Sequence, residues 1–256
     1  MVSKSKHLLL MTTLVMMLSS LSLTLCTSCG DDKDDPVETS LTLKAGETYN
    51  IGSGNNWKSA NPLVASVEGR TITAECAGST TITGSAGTIN VSVKATRFDF
   101  TEPYLSFGAS KSSVKSAMSS YTLTSDKSTT LGYQGKGKVY MYGYGFKNNQ
   151  LDMSMLIVRY TYSSDLRDFI LERYYPVYVN EDDYYISMID PLKKMVILVK
   201  PEVISYTTYI VVAYTKYTGS SSSAIKKMKA FGSKTSVDNE EVAKMFTQLK
   251  NKLVKQ

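Results

Sequence analysis

Histidine, the side chain that most often acts as a general base, is nearly absent from this chain. The only histidine is His7, which lies in an apolar N-terminal segment that we expect to be removed. A mature chain without histidine cannot build a Ser-His-Asp or Cys-His catalytic arrangement, and it lacks the commonest nitrogen ligand of zinc sites. No GxxxxGK[ST] phosphate loop and no dinucleotide fingerprint occurs. We therefore predict no enzyme activity, no metal site and no cofactor.

Carboxylates offer the one remaining route to catalysis. Two of them can act as acid and base in glycoside hydrolysis. The densest acidic run beyond the N-terminal region is Glu181-Asp182-Asp183, which falls in a predicted turn between two strands. Its spacing is not that of a calcium loop. We expect a solvated turn there, and a carboxylate-based hydrolase is the weakest of the function classes that we consider.

An alternating aromatic run forms the only candidate for a ligand-binding surface. It comprises Tyr140, Tyr142, Tyr144 and Phe146. Successive side chains of a strand point to opposite faces, so the alternation predicts that all four share one face. If helices cover that face the four rings are core, and if it is open they form a surface for sugar rings or for a partner protein. We favour the core and keep the four residues as candidate ligand-binding residues.

Cys29 is the residue with the most specific predicted chemistry. Lys4 and Lys6 precede an apolar stretch from Leu8 to Leu25, and the small residues Thr27 and Ser28 stand directly before Cys29. This is the layout of a secretory signal peptide, which we place at residues 1–28. An uncleaved transmembrane helix is the alternative, since the stretch is close to spanning length.

The residues around Cys29 resemble those of surface-exposed lipoproteins of the Bacteroidetes type. Thr27-Ser28-Cys29 is similar to a lipoprotein cleavage site, and the acidic run at residues 30–35 is similar to their export signal. The resemblance implies a lipid on Cys29, an acidic tether at residues 29–36, and a position on the outer face of the outer membrane. One departure is Cys26, which stands where the family usually has a large aliphatic residue. Cys26 is the alternative lipidation site, although the bulky Leu25 before it disfavours cleavage there.

Residues 37–96 predict a small domain made only of strands. Short runs such as Thr80–Thr83 and Ile89–Val93 alternate apolar and polar residues between turn signals. Such alternation is typical of strands with one buried face, and closely spaced short strands favour an antiparallel sandwich.

This first domain resembles the group 2 bacterial Ig-like domains. The resemblance rests on the runs Trp57–Val67, Ile72–Ala74, Ala77–Thr83 and Ile89–Val93. It implies an Ig-like β-sandwich that serves as a spacer or adhesive module. Trp57 could stack on a sugar, but its place in the run favours a core position between two sheets.

Residues 98–218 predict an α+β domain of two tandem repeats, at about 103–162 and 163–218. Each repeat starts with a helix, capped by Ser110 or Ser164, and continues with strands. The helices end near Tyr121 and Tyr174, which sets a period of about 53 residues. We expect antiparallel sheets with the helices on one side. The element order loosely resembles the β-lactamase-inhibitor-protein-like fold, which implies a protein-binding sheet face.

Residues 219–256 predict a linker followed by a C-terminal helix. An Asp238 and Glu241 pair resembles a helix start. An apolar stripe at helical spacing follows at Val242, Met245, Phe246, Leu249 and Leu253. We expect this helix to dock on the body, and its lysines leave a membrane-surface role as an alternative.

Taken with the leader, these domains predict a non-enzymatic cell-surface lipoprotein. The formal charge of +6 is small and spread along the chain, so we predict no nucleic-acid partner. The predicted partners are the membrane, through the lipid, and an extracellular glycan or protein bound by the second domain. The alternative function is a periplasm-facing structural or assembly lipoprotein that binds envelope proteins.

Overall fold

The computed structural model describes residues 39–180 and 184–219, most of whose regular structure is β-strand. Several predicted features lie outside these residues. They are the leader at 1–28, Cys29, the whole tether at 29–36, most of the C-terminal segment, and the acidic run at 181–183. Within the described residues, seven strands precede the first helix and eight follow it.

The first seven strands form two sheets. One is four-stranded with the order β1-β7-β6-β3, and the other is three-stranded with the order β2-β5-β4. The pair β1-β7 is parallel, and the other pairs are antiparallel. The strands are β1 Ser40–Lys44, β2 Thr48–Asn50, β3 Lys58–Ser59, β4 Ala65–Glu68, β5 Thr71–Ala74, β6 Gly78–Gly84 and β7 Gly87–Lys94.

Both of these sheets contribute side chains to one hydrophobic core. Ile82 and Ile89 come from the larger sheet and Ile72 from the smaller one, and all three are fully buried. Alternation along β6 and β7 leaves Thr81, Thr83, Thr88 and Asn90 on the solvent-exposed face, whereas Thr80 is buried. Trp57 lies in the same core, which confirms its predicted structural position.

Gly84 is the position at which the Trp57 ring meets the backbone most closely. A Cβ at residue 84 would stand 2.5 Å from Trp57 Cε3, a distance that real Cβ atoms do not adopt. We therefore predict that Gly84→Ala lowers the free energy of unfolding by about 1–3 kcal/mol, through overpacking. Urea denaturation measures the effect. Thr81→Ala, at an exposed position of the same strand, is the control and should change stability by about 0.5 kcal/mol or less.

The remaining eight strands form one antiparallel sheet with the order β12-β13-β14-β15-β11-β10-β9-β8. A helix precedes each set of four consecutive strands. The elements are α1 Lys111–Ala117, β8 Leu123–Lys127, β9 Thr130–Gln134, β10 Val139–Lys147 and β11 Gln150–Arg159, then a 3-10 turn Tyr160–Tyr162, α2 Ser163–Leu171, β12 Tyr175–Asn180, β13 Tyr185–Ile189, β14 Met195–Ile204 and β15 Thr207–Lys216.

The two helices supply side chains to the core on one face of this sheet, which we call the first face. Val114 of α1 and Leu166, Phe169 and Ile170 of α2 are buried in that core. Ser110 caps α1 as predicted, since its hydroxyl accepts a hydrogen bond of 3.1 Å from the Ser113 amide. The predicted cap of α2 is wrong.

The start of α2 differs from the prediction because a 3-10 turn runs directly into the helix. The residue at the cap position is Tyr162, whose side chain makes no capping bond, and Ser164 lies inside the helix. Asp165 stands in the first turn, where a carboxylate interacts favourably with the helix dipole.

Glu172, directly after α2, joins the two cores. Its carboxylate accepts hydrogen bonds from the amides of Thr96 and Arg97, at 2.7 and 2.8 Å, and from the Thr96 hydroxyl. Its carbonyl accepts a hydrogen bond of 2.7 Å from the Ala77 amide, within the first seven strands. The linker between the cores is thus held against the end of a helix.

Burial and hydrogen bonding act in opposite directions on the pKa of Glu172. Burial alone would raise that pKa, but the bonds from Thr96 and Arg97, with the nearby Arg173 charge, hold it below the usual 4.5. A carboxyl whose pKa is lowered by folding stabilises the fold above its unfolded pKa. That contribution is lost as the pH falls through the folded pKa.

We predict that Glu172→Gln lowers the free energy of unfolding by about 1–3 kcal/mol at neutral pH, because it weakens charge-assisted bonds at a part-buried site. Part of the stability loss below pH 4.5 should also disappear in this variant. Urea titrations across pH 3–7 measure both effects. Glu68→Gln, on an exposed strand end, is the control. If the free energy of unfolding of Glu172→Gln falls below pH 4.5 as steeply as that of the unmodified chain, the role given to the Glu172 carboxylate is wrong.

Candidate functional site

A polar cavity of about 380 Å³ lies beside the hairpin that joins β9 and β10. Its walls come from β8 to β11 and from the 3-10 turn. The side chains used below are those of Gln134, Lys138, Tyr140, Arg159 and Tyr162. Among the candidate residues predicted from sequence, only Tyr140 lines it.

A β-bulge at the start of β10 places Tyr140 in this cavity. Val139 pairs with Val158 and Met141 pairs with Ile157, so Tyr140 is an extra residue in the ladder. The adjoining hairpin is closed by a 2.9 Å bond from the Gly135 amide to the Tyr140 carbonyl. Residue 135 must be glycine, because a Cβ there would overlap the Val139 carbonyl. The bulge turns the Tyr140 ring away from the helix-covered first face.

Three adjacent strands bring together two tyrosines and an arginine. The Tyr140 ring centroid lies 4.7 Å from that of Tyr209, and the rings are tilted by 37°. Arg159 pairs with Tyr209 across the sheet, and its Cζ atom lies 5.7 Å from the Tyr140 centroid. The Tyr140 side chain remains 37% exposed, while Tyr209 is buried beneath it. An aromatic ring is therefore held firmly with part of its surface open.

The two cations of the cavity differ in their partners. Lys138 Nζ bonds to Asp165 at 2.7 Å and to Asp99 at 3.2 Å, and these hydrogen bonds raise the pKa of Lys138. Its charge is matched by two carboxylates. Arg159 forms no ion pair with any carboxylate of the described residues. The cavity therefore offers one guanidinium whose charge is not balanced within the described part of the chain.

This arrangement offers an aromatic surface and hydrogen-bonding groups to a small polar ligand. An exposed tyrosine ring can pack on the apolar face of a sugar, as aromatic rings do on other apolar surfaces. The side-chain amide of Gln134 both donates and accepts hydrogen bonds. The guanidinium group of Arg159 can bind a carboxylate through two of its N–H donors.

The structure separates the four aromatic residues that the sequence predicted to lie together. Tyr142, Tyr144 and Phe146 are buried in the core of the first face. The prediction of a common face is wrong for Tyr140, because the bulge breaks the alternation before residue 141. Of the four, Tyr140 alone is accessible to a ligand in the folded protein.

Other residues of the cavity could not be recognised from the sequence. Arg159 and Gln134 carry no local motif, and their meeting depends on the register of β9, β10 and β11. Among the described residues, no group of three or more histidine, cysteine, aspartate or glutamate side chains is arranged to hold a metal ion. None of the described helices combines the length and the hydropathy of a membrane span.

Comparison with protein-family models, with curated proteins and with solved structures found no match to this chain.

Proposed function

We propose that this chain is a non-enzymatic surface lipoprotein that binds an extracellular glycan in the cavity beside Tyr140. The observation that carries the proposal is the pairing of the exposed Tyr140 ring with the Arg159 guanidinium in one concave site. A lipid on Cys29 attaches the chain to the outer membrane, and residues 29–36 form the tether. The unbalanced charge of Arg159 favours sugars that carry a carboxylate.

The domain architecture of the proposal combines an Ig-like spacer with a tandem-repeat domain. Seven strands in two sheets around Trp57 support the first assignment. The second is supported by the repeated order of one helix and four strands, with the two sets joined through β15 and β11. This order supports the loose similarity to the β-lactamase-inhibitor-protein-like fold.

A small ligand fits the site better than a folded partner does. A cavity of about 380 Å³ falls within the range of small-molecule sites, which runs from about 300 to 1,000 Å³. A specific protein partner would need about 800 Å² of matching surface on each side. Its lining includes the polar side chains of Gln134, Lys138 and Arg159, and polar groups of this kind fix the orientation of a small ligand.

A glycan array probed with the lipid-free chain, residues 30–256, tests the proposal. The array should hold neutral glycans and glycans with uronic or sialic acids. We expect Tyr140→Ala to weaken binding about tenfold or more, the effect typical of a central aromatic contact. We expect Arg159→Ala to abolish the preference for acidic sugars.

Tyr178→Ala is the matched control, since Tyr178 is an exposed tyrosine of β12 and lies outside the cavity lining. It should bind like the unmodified chain. If the unmodified chain binds no glycan, or if Tyr140→Ala binds as well as the control, the glycan proposal is wrong. Protease shaving of intact cells then tests the alternative, because a protected chain would favour the periplasm-facing assembly lipoprotein.

A further inference from the structure

The hairpin that joins β14 and β15 extends beyond its neighbouring strands among the described residues. Strand β14 pairs with β13 only in its first half, whereas its pairing with β15 continues to the pair Ile204 and Thr207. The pairing of β15 with β11 begins at Tyr209. Residues 203–208 therefore form a two-stranded ribbon that ends in a two-residue turn, Ser205-Tyr206. We call residues 203–208 the hairpin tip.

The turn of this hairpin places a large side chain in a backbone conformation that favours glycine. Ser205 and Tyr206 both have positive φ, at 49° and 65°. Two-residue hairpin turns with positive φ at both positions usually carry Asn-Gly, because a Cβ is disfavoured there. The Tyr206 side chain is fully exposed, so packing within the described part of the chain does not offset this cost. A bulky residue in a strained and exposed turn indicates a role outside the fold.

The hairpin tip adjoins the cavity beside Tyr140. Arg159, which lines that cavity, pairs with Tyr209 across β11 and β15. Tyr206 precedes Tyr209 by three residues, which places their Cα atoms at most about 10 Å apart at 3.4 Å per residue. The side chains of Tyr140 and Thr207 both make hydrogen-bonding contacts with the Tyr209 hydroxyl. The cavity and the hairpin tip are therefore two ends of one surface.

The hairpin tip also presents side chains on the same side of the sheet as the cavity. Tyr209 belongs to a cluster that is separate from the helix-packed core of the first face. Side chains alternate along a strand and cross-strand partners share a face, so Thr207 and its partner Ile204 lie on the side of Tyr209. Ile204 is 41% exposed, and residues 203–208 include no charged side chain. The tip thus adds uncharged, partly apolar surface beside a cavity that contains a guanidinium.

We propose that the hairpin tip extends the glycan site, and that Tyr206 packs on neutral sugar units of the chain whose acidic unit lies at Tyr140 and Arg159. The inference rests on the proposed function and adds that the ligand is an oligosaccharide. A single sugar held against Tyr140 leaves the tip unoccupied, whereas a chain that continues past Thr207 reaches it. The apolar face of a neutral sugar suits an exposed aromatic ring, and the carboxylate of the acidic unit suits Arg159.

Isothermal titration calorimetry of the lipid-free chain, residues 30–256, tests the proposal with glycans of increasing length. Each probe carries one terminal sialic or glucuronic acid and from none to about four neutral hexose units. We expect the Kd to fall about tenfold or more from the single acidic sugar to the longest glycan, the effect of a further aromatic contact. Tyr206→Ala should remove this gain and leave the affinity for the single acidic sugar unchanged. Tyr206→Phe should keep the gain, because it keeps the ring.

Two further variants separate this proposal from the proposed function. Tyr178→Ala, at an exposed tyrosine outside both the cavity lining and the hairpin tip, should bind like the unmodified chain. Tyr140→Ala should weaken binding of glycans of every length. If the Kd does not fall with length, or if Tyr206→Ala keeps the gain, the tip is not part of the site, while the glycan proposal stands. If no glycan of the series binds, the extension is overturned, and the glycan array decides separately on the proposed function.

A stability measurement separates binding from folding at the same residue. Tyr206→Gly should raise the urea midpoint of unfolding, because glycine adopts positive φ without a steric cost. The same variant should lose the gain in affinity with glycan length, as Tyr206→Ala does. A lower urea midpoint in Tyr206→Gly would show that the ring supports the fold, and it would overturn the role of Tyr206 in binding.

Discussion

Replacing Tyr144 with alanine is expected to lower the free energy of unfolding by about 3–5 kcal/mol, as for other large aromatic residues of a core. The side chain is fully buried on the first face of the sheet, and its ring meets the edge of Tyr133 at 5.9 Å. Truncation would leave a cavity between the strands and α1. Burial raises the pKa of Tyr144 to about 12, as expected for a hydroxyl kept from water.

The Tyr144 hydroxyl also makes two polar contacts. It accepts a bond of 3.2 Å from the Tyr104 amide and lies 3.1 Å from the Met118 sulfur in the residue after α1. Tyr144→Phe keeps the ring and leaves the Tyr104 amide unpaired, so we expect a loss of about 1–3 kcal/mol. Comparing the two losses in the free energy of unfolding separates the contribution of ring packing from that of hydrogen bonding.

Urea denaturation of the lipid-free chain measures both variants. Tyr206→Ala is the control, because Tyr206 is fully exposed in the turn between β14 and β15. It should change the free energy of unfolding by about 0.5 kcal/mol or less. If Tyr144→Ala costs no more than this control, the residue is not part of the core and the assignment of the first face is wrong.

The second prediction with a large expected effect concerns attachment of the protein to the membrane through its lipid. Cys29→Ala should abolish lipid attachment and leave the precursor uncut, with residues 1–28 still joined. Each buried CH₂ of an acyl chain contributes about 0.8 kcal/mol, so two or three chains hold a protein almost entirely on the membrane. We expect the unmodified protein in the membrane fraction as a processed band, and the Cys29→Ala protein as a larger band.

Two other cysteines provide matched controls. Cys26→Ala removes the alternative lipidation site, and Cys76→Ala alters a buried residue of the folded part. Both should be processed and fractionate like the unmodified protein. If the signal peptide is still cleaved in Cys29→Ala but is not cleaved in Cys26→Ala, the lipidated residue is Cys26. Fractionation with size analysis by immunoblotting measures all three variants.

Most strands of the two smaller sheets and of the large sheet were predictable because local patterns specify them, but the two-residue strand β3 was not predicted. Alternation fixed runs such as Ile89–Val93, and spacing placed Val114 and Leu166 on buried helix faces. Strand β8 was not predicted. Its sequence, LTSDK, is polar and mostly exposed, as is common for an edge strand.

Strand β14 is longer than the sequence indicated. It pairs with two strands in its first half and with only one in its second half. The continuous apolar run of this strand, Met195–Val199, ends shortly before Pro201. In the structure the pairing with β13 stops at Val199, whereas the pairing with β15 continues to Ile204. Pro201 therefore lies where the strand has only one partner, and a missing amide on the open side costs no ladder bond.

The candidate site was predictable only in part, because it depends on contacts that no local pattern encodes. The aromatic run led to Tyr140, but a single bulge decides that Tyr140 faces the cavity while Tyr142 faces the core. Tyr209 and Arg159 reach Tyr140 through pairings between distant parts of the chain.

Mass spectrometry of the N-terminal peptide from the protein purified out of its native membrane tests the lipoprotein assignment most directly. We predict that the mature chain begins at residue 29 and that this cysteine carries a thioether-linked diacylglycerol. A peptide that retains residues 1–28, with an unmodified thiol at position 29, would contradict it.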